Sequence, residues 1–421
     1  MQPEQSQAAA LTSLREGPAL SRWRYIALAV GPGVIVMLAD TDAGNVVTAA
    51  QAGAQWGYRL LPLILGLIPV LYMVQELTVR LGIFTGRGHG ELIKERFGMG
   101  WAWLSAGSLA IATIGSLVTE FSAVAAIGEL YGLSRSLSLP MAAAALTAVV
   151  LTGSYRRVER LAITIGLFEL AFLVVAWSAR PDFSALASDA FHQPLANNQF
   201  ALLAAAVIGA TFNPWMVFYQ QSALADKGLE PRDYGIARMD TAAGALLTQL
   251  LTGAVLVAAA ASLGPTHSGL ASIGEIANAL TPVLGEPIGR LAFGIGVPGA
   301  AMIAAIVSSL ALAWGLGEVA GYRRSLEYRP FEARWFYGAY AACVVGAAIA
   351  VFAAPDLVWL NIAAQVLNAF LLPLVIGFLI VLAARALPRS VRLGGVYLWI
   401  VIGVTALVSA LGLVGGIWGL L

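Results

Sequence analysis

The chain has 421 residues, of which 59% are apolar and 11% are charged, and its mean hydropathy is +0.81. A soluble domain carries about a quarter charged residues, so soluble globular proteins and nucleic-acid-binding proteins are excluded. Apolar stretches of about 18 residues or more recur along the chain, and one helix needs this length to cross the hydrocarbon of a bilayer. The alternation typical of membrane-spanning strands is absent, so we predict an all-α integral membrane protein.

Apolar runs bounded by Arg, Gly and Pro predict about eleven membrane spans. The predicted spans lie at 25–51, 58–79, 101–131, 138–154, 161–179, 198–223, 239–263, 288–317, 335–353, 357–384 and 394–419. Residues 1–24 are rich in Gln, Ser and Glu and contain no signal-peptide pattern, so we interpret them as a polar cytoplasmic tail. Cys343 is the single cysteine, which excludes an internal disulfide and a thiolate metal site and leaves packing as its expected role.

The distribution of basic residues tests this span count, because cytoplasmic loops collect Lys and Arg. If the N-terminus is inside, only Arg59, Arg135, Arg180 and Arg290 lie in outer segments, and the other 20 of the 24 basic residues lie in inner segments. We therefore predict a multi-pass protein of the inner cell membrane, with the N-terminus in the cytoplasm and the C-terminus outside.

Two predicted spans contain helix-breaking sequence. The first span runs through Gly31-Pro32-Gly33 and then places Asp40 and Asp42 at membrane depth. The sixth span contains Pro214, which removes a backbone donor and clashes with the preceding turn. Interruptions five spans apart are typical of two inverted five-helix repeats whose unwound segments meet near the bilayer midplane. The alternative is a pair of kinks without a binding site. The predicted organisation is a first repeat at 25–180, a second repeat at 195–385 and an additional helix at 393–421.

The acids of the first span are the first candidates for a functional role. A carboxylate in hydrocarbon costs several kcal/mol, so it usually faces a cavity, a partner or a bound cation. Asp42 is the prime candidate ligand, and Asn45 lies three residues later, on the same side of a helical turn. Asp40 should point elsewhere, either as a helix cap or vestibule residue or as a second carboxylate that attracts ions.

The sixth and tenth spans supply neutral oxygen atoms. Unwinding at Asn213 would free the backbone carbonyls of Ala210 and Thr211, and the Asn213 side chain adds another oxygen. Gln365 and Asn368 lie three residues apart on one face of the tenth span. Amides in membrane helices also bond to neighbouring helices, so ligation and packing both stay open for this pair.

The remaining acids and histidines divide by their position in the spans. Glu120 lies deep in the third span without a basic residue within a turn, so a protonated state and a cation-facing role are both open. Nearer the predicted span ends, a solvated or paired carboxylate is expected for Glu76, Glu129 and Glu169. Surface roles in loops are expected for His89, His192 and His267.

This inventory is rich in oxygen and nearly free of sulfur. Carboxylate, amide and carbonyl oxygens suit Mg²⁺, Ca²⁺ and Mn²⁺, whereas softer ions prefer thiolate, thioether or imidazole, so a hard divalent cation is the expected ligand. A phosphate-binding Gly-rich loop, a paired His-Glu zinc motif and a convincing Ser/His/Asp arrangement are absent from the sequence, so we predict no enzyme activity and no cofactor.

Eight sequence motifs are spread along nearly the whole chain. They are Gly31-Pro32-Gly33, Asp42-Ala43-Gly44-Asn45, Gly53-Ala54-Gln55-Trp56-Gly57-Tyr58, Leu81-Gly82-Ile83-Phe84-Thr85-Gly86-Arg87, Arg156-Arg157-Val158-Glu159-Arg160, Gly209-Ala210-Thr211, Gln221-Ser222-Ala223 and Gln365. Together they resemble the Nramp family of divalent metal transporters. The resemblance implies a fold like that of the leucine transporter. It also implies metal binding by the Asp42 and Asn45 side chains, the Ala210 carbonyl and Gln365.

The chain departs from the family pattern at the residues that set metal preference. The family's methionine, whose sulfur favours transition metals, is replaced by Asn213, and the following histidine by Trp215. One inserted residue between Asn213 and Ser222 shifts the register of this stretch, and Met216, one turn on, is a second candidate source of sulfur.

Two further departures concern backbone and protons. Ala43 replaces the proline that usually follows the first acid, which an unwound segment tolerates. Glu120 matches a family acid, but the acid normally three residues before it is Leu117. The missing groups serve proton movement in the family, and the pattern is similar to a divergent branch that moves Mg²⁺ and Mn²⁺.

The sequence therefore predicts alternating-access transport of Mg²⁺ or Mn²⁺ through a site at Asp42, Asn45, Ala210, Asn213 and Gln365. Asp40, Thr211, Glu120 and Asn368 are expected to lie around this site or along the ion pathway. The expected partners are divalent cations and the lipid bilayer, with neither nucleic acid nor an obligate protein partner. A proton-coupled Mn²⁺ or Fe²⁺ transporter, a same-fold transporter of amino acids, a metal sensor and an intramembrane protease are the alternatives.

Overall fold

The computed structural model describes residues 31–151, 164, 166–263, 270, 275–276, 286–326, 328–354 and 356–421. Across these ranges the regular secondary structure is entirely helical. The predicted polar tail at 1–24 lies outside the described residues.

The helices follow the predicted spans closely. In chain order they are α1 (Pro32–Asp40), α2 (Ala43–Trp56), α3 (Leu61–Thr85), α4 (His89–Phe97), α5 (Met99–Leu130), α6 (Arg135–Leu151), α7 (Ala171–Ser178, after the 3-10 turn Leu167–Leu170), α8 (Phe183–Phe191), α9 (Asn198–Thr211), α10 (Pro214–Lys227), α11 (Tyr234–Leu263), α12 (Glu286–Ala320), α13 (Arg334–Ala353), α14 (Leu357–Arg385) and α15 (Gly395–Leu420). Eight stretches of the described residues are long and apolar enough to cross a membrane. The first predicted span corresponds to α1 together with α2, and the fourth to α6. The fifth corresponds in part to α7.

The two predicted helix breaks are confirmed. The first span is interrupted at Thr41 and Asp42, between α1 and α2, and the sixth at Phe212 and Asn213, between α9 and α10. Pro214 is the first residue of α10, where its missing N–H would have no helical partner in any case.

Packing places both breaks in the middle of the bundle. α1 and α2 pack against α11, α9 packs against α14 and α15, and α10 packs against α3 and α12. All residues at 43–54 and at 214–224 are buried. The helices that follow the two breaks therefore turn no face toward lipid next to the unwound segments.

Two short helices, α4 and α8, lie between predicted spans, in segments for which loops are expected. The surface role expected for His89 is wrong, because His89 is the buried first residue of α4. Its Nδ1 atom lies 3.1 Å from Gln221 Oε1, and its ring packs edge-on against Phe218. His192 is exposed, as expected, and His267 lies outside the described residues. The packing role of Cys343 is confirmed, because its side chain is buried.

Candidate metal-binding site

Asp42 caps the helix that follows the first break. Its backbone is extended, and its Oδ1 atom accepts a hydrogen bond from the Asn45 backbone N–H at 2.7 Å. The second carboxylate oxygen, Oδ2, is buried and makes no hydrogen bond with any described residue. Asp42 thus has one oxygen committed to the backbone and one available to a ligand.

Asp40 and Asn45 close the end of α1. The Asn45 Nδ2 atom donates to the Asp40 carbonyl oxygen at 2.9 Å. The Asp40 carboxylate is fully buried, so it does not face a solvated vestibule. Its Oδ1 atom instead accepts a hydrogen bond of 3.3 Å from Asn213 Nδ2, which brings it to the second break. Its Oδ2 atom, like that of Asp42, has no hydrogen-bond partner among the described residues.

The second break exposes a backbone carbonyl through its proline. Pro214 has no N–H, so the Ala210 carbonyl lacks the donor that a continuous helix would supply. It accepts a hydrogen bond of 3.0 Å from Asn213 Nδ2 instead. The Thr211 hydroxyl bonds within α9, to the Val207 carbonyl at 3.0 Å.

Two amides of α14 lie over the breaks. Asn368 Nδ2 donates both to Asn213 Oδ1 and, at 3.0 Å, to Gln365 Oε1. A Cβ atom added to Gly44 would lie 2.0 Å from Gln365 Nε2 and 3.1 Å from Asp42 Oδ1. The Gln365 amide therefore lies directly against the first turn of α2, beside Asp42, and a larger side chain at Gly44 would displace it.

Glu120 of α5 approaches the same turn from the other side. Its Oε2 atom accepts a hydrogen bond of 3.2 Å from the Ala43 backbone N–H, and its carboxyl group lies near enough to that of Asp42 for the two to interact electrostatically. Leu117 and Trp215, which stand where the resemblance implies an acid and a histidine, are both fully buried.

The structure corrects the expectation for one acid. Glu76 is paired with Arg80 at 2.7 Å, and Glu129 is paired with Arg135 and half-exposed, as expected. The expectation is wrong for Glu169, which is fully buried and makes no ion pair or hydrogen bond within the described residues. The sequence carried a signal for this, because Glu169, like Glu120, has no basic residue within one helical turn.

The electrostatics of the two breaks favour a cation bound by mixed oxygen ligands. Two helices end and two begin at the breaks, so helix ends of both partial charges are present there, and the net negative charge of the site comes from its buried acids. Within the described part of the chain, no Lys, Arg or His forms an ion pair with Asp40, Asp42, Glu120 or Glu169. No three acidic, His or Cys side chains of the described residues converge on one ion position either. The arrangement provides acids together with amide and carbonyl oxygens.

The sequence of this chain matches the Nramp family, described as "Natural resistance-associated macrophage protein-like", over residues 33–417. The chain belongs to the Nramp family. It is a multi-pass integral membrane protein that transports divalent metal cations and is not an enzyme, and the metal is its cargo rather than a cofactor.

Curated relatives of this Nramp protein carry the name "Divalent metal cation transporter MntH". The protein from Burkholderia ambifaria is 27% identical over 375 residues, which cover 85% of this chain and 80% of that protein. The protein from Aeromonas hydrophila is 31% identical over 301 residues, which cover 67% of this chain and 71% of the relative.

Solved structures confirm the fold class. The manganese transporter of Eremococcus coleocola, in complex with an aromatic bis-isothiourea substituted compound, superposes with a TM-score of 0.75 at 17% identity, covering 95% of this chain and 88% of that chain. MhsT in complex with L-phenylalanine superposes with a TM-score of 0.62 at 14% identity, covering 95% of this chain and 99% of that chain. The Nramp protein has the leucine-transporter-like fold, with inverted repeats and broken first and sixth helices.

Proposed function

We propose that this Nramp protein takes up the hard divalent cations Mn²⁺ and Mg²⁺ by alternating access, with the ion held between the two helix breaks. The observation that carries the proposal is the buried, unbonded Oδ2 atom of Asp42, at a break where no described basic side chain neutralises it. Asn45, the Ala210 carbonyl, Gln365 and Asn213 supply the neutral oxygens of the proposed site.

The chemistry of the ligands supports a hard ion. Carboxylate, amide and carbonyl oxygens suit Mn²⁺ and Mg²⁺, and the family's soft methionine sulfur is replaced by the amide of Asn213. The Eremococcus coleocola protein of the same fold is named a manganese transporter. We include Mg²⁺ in the proposal because a site with an amide oxygen in place of the sulfur no longer favours transition metals over Mg²⁺.

The membrane potential is the proposed driving force. A divalent cation moving inward gains about 4.6 kcal/mol per 100 mV of inside-negative potential, twice the value for one charge. The membrane potential alone can therefore drive uptake, without cotransport of protons. In addition, Leu117 and Trp215 stand where the resemblance implies an acid and a histidine that move protons, and neither side chain can carry a proton. The protein is proposed to lie in the inner cell membrane with its N-terminus in the cytoplasm.

The proposal is tested by uptake of Mn²⁺ and Mg²⁺ into liposomes at a set potential. We expect Asp42→Ala to abolish uptake. Asp356→Ala is the matched control, because Asp356 also caps a helix with its carboxylate, bonding the Val358 and Trp359 N–H groups, but is exposed and lies away from the breaks. Uptake that survives Asp42→Ala would refute the site. An inward proton current matched to metal flux would refute uncoupled transport, and amino-acid uptake in place of metal uptake would refute the substrate class.

Asn213→Met tests the ligand that sets metal preference. A thioether near the ion should favour soft metals, so we expect Cd²⁺ to compete with Mn²⁺ more strongly in the variant than in the wild type. The measurement is the concentration of Cd²⁺ that halves Mn²⁺ uptake. An unchanged value would show that the side chain at this position does not contact the ion.

A further inference from the structure

Glu169 is an acid for which the site described above has no role. It lies in the 3-10 turn Leu167–Leu170 just before α7, and its side chain is fully buried. Neither carboxylate oxygen has a hydrogen-bond partner among the described residues. An intramembrane acid without a partner is costly, and such residues usually mark an ion pathway.

The packing of the fifth span aims Glu169 at the first helix break. A Cβ atom added to Gly166 would lie 2.7 Å from Leu38 Cδ1, so the backbone one turn before Glu169 rests on α1. The Glu169 carboxyl group approaches the Thr41 hydroxyl and lies within electrostatic range of the Asp40 and Asp42 carboxylates on either side of it in the sequence. The Thr41 hydroxyl itself lies 2.9 Å from the hydroxyl of Thr248 on α11.

Glu169 is not placed to bind the same ion directly together with Asp40 and Asp42. No three acids of the described residues converge on a single ion position, and the group that Glu169 approaches is the Thr41 hydroxyl rather than the Asp42 carboxylate. A water molecule can bridge groups that are too far apart for direct contact, at little loss in strength. Mg²⁺ gives up its waters reluctantly and is usually bound through one or two carboxylates and several retained waters.

We propose that Glu169 binds the transported cation through the water shell of that cation, and so favours Mg²⁺ over ions that exchange their waters for protein ligands more readily. The Thr41 hydroxyl lies on the same path and orients the bridging water. This inference rests on the proposed function, since it assigns Glu169 a part in selecting the ion held by Asp42.

The test is a comparison of KM for Mg²⁺ and Mn²⁺ uptake in Glu169→Gln, which keeps the shape of the side chain and removes its charge. A hydrogen bond to a charged group contributes about 1.5–3 kcal/mol, so we expect KM for Mg²⁺ to rise at least about tenfold. We expect KM for Mn²⁺ to change by less than about threefold, which corresponds to the lower end of the contribution of a neutral hydrogen bond. Glu129→Gln, which removes a half-exposed acid far from the breaks, is the matched control and should leave both values unchanged.

Each alternative outcome overturns the inference. An unchanged KM for Mg²⁺ in Glu169→Gln would mean that the carboxylate does not reach the ion. An equal rise for both ions would indicate general attraction rather than recognition of bound water. If Glu169→Gln does not fold, Thr41→Val is measured instead, and an unchanged KM for Mg²⁺ in that variant would refute the bridging water.

Asp42→Ala in the same assay separates this inference from the proposed function. If Asp42→Ala still transports metal, the proposed function itself fails. If Asp42→Ala is inactive and Glu169→Gln keeps its KM for Mg²⁺, only the role of Glu169 fails.

Discussion

Replacing Gly44 with alanine tests the close approach of α14 to the first helix break. The added methyl group would lie 2.0 Å from Gln365 Nε2, whereas ordinary contacts begin at 3.4 Å, so the Gln365 amide must move by about 1.4 Å. Overpacking of a filled interior typically costs about 1–3 kcal/mol. If the native position of Gln365 is the one that binds metal, this energy is lost from binding, and Kd rises by about 5- to 150-fold.

The assay is Mn²⁺ binding to the purified Gly44→Ala protein by calorimetry, with liposome uptake as a second measurement. Gly115→Ala is the matched control, because a Cβ atom at Gly115 would make an ordinary contact of 3.5 Å with Ala364 on α14. We expect the control to bind Mn²⁺ with the wild-type Kd.

A double variant shows whether the effect of Gly44→Ala acts through the displaced amide. In a Gln365→Ala background the added methyl group has room, so Gly44→Ala should weaken binding little further. Wild-type affinity in Gly44→Ala, or a full additional loss in the Gln365→Ala background, would refute the reasoning that Gln365 must lie against this turn to bind metal.

Two further predictions concern stability. Burial lowers the pKa of His89 from 6.5 to about 4, so between these pH values the unfolded chain binds a proton that the folded chain does not. The free energy of unfolding should therefore fall as pH drops through this window, by up to about 1.4 kcal/mol per pH unit. The measurement is thermal unfolding of the wild type and of His89→Gln at pH 7 and at pH 5. An equal loss of stability in both proteins would contradict the role of His89. Asp240→Asn should lower the unfolding midpoint, because Asp240 Oδ2 accepts hydrogen bonds from the Gly33, Gly31 and Val34 N–H groups at 2.8, 3.3 and 3.3 Å at the positive end of α1. The expected loss is about 1–2 kcal/mol, and an unchanged midpoint would show that these contacts do not stabilise the helix.

Span positions followed from hydropathy with small errors whose causes are visible in the structure. The tenth span, predicted at 357–384, is the helix Leu357–Arg385. The second was predicted to end at residue 79 because Arg80 follows, but the helix continues to Thr85. Arg80 pairs with Glu76 one turn earlier, so its charge does not mark the membrane boundary. The short helices α4 and α8 were missed because neither contains a long apolar run.

The positions of the breaks were predictable because their causes are local. Pro214 and the acids at residues 40 and 42 act on their own turns, so a single sequence reveals them. The partners of these residues were not predictable, because they depend on which helices meet. The contact between Asp40 and Asn213 joins residues 173 positions apart, and the unpaired state of Glu169 depends on how the fifth span packs against the first.

Asp42 divides two tasks between its two oxygen atoms. One oxygen starts α2 by accepting the Asn45 N–H, and this bond fixes the rotamer of the side chain before any metal arrives. Immobilising a free side chain upon binding typically costs about 0.5–1.5 kcal/mol, and a side chain already held in place avoids most of that loss. The orientation of the Asp42 side chain therefore depends on the first turn of α2. Unwinding of that turn should release the bound ion as well.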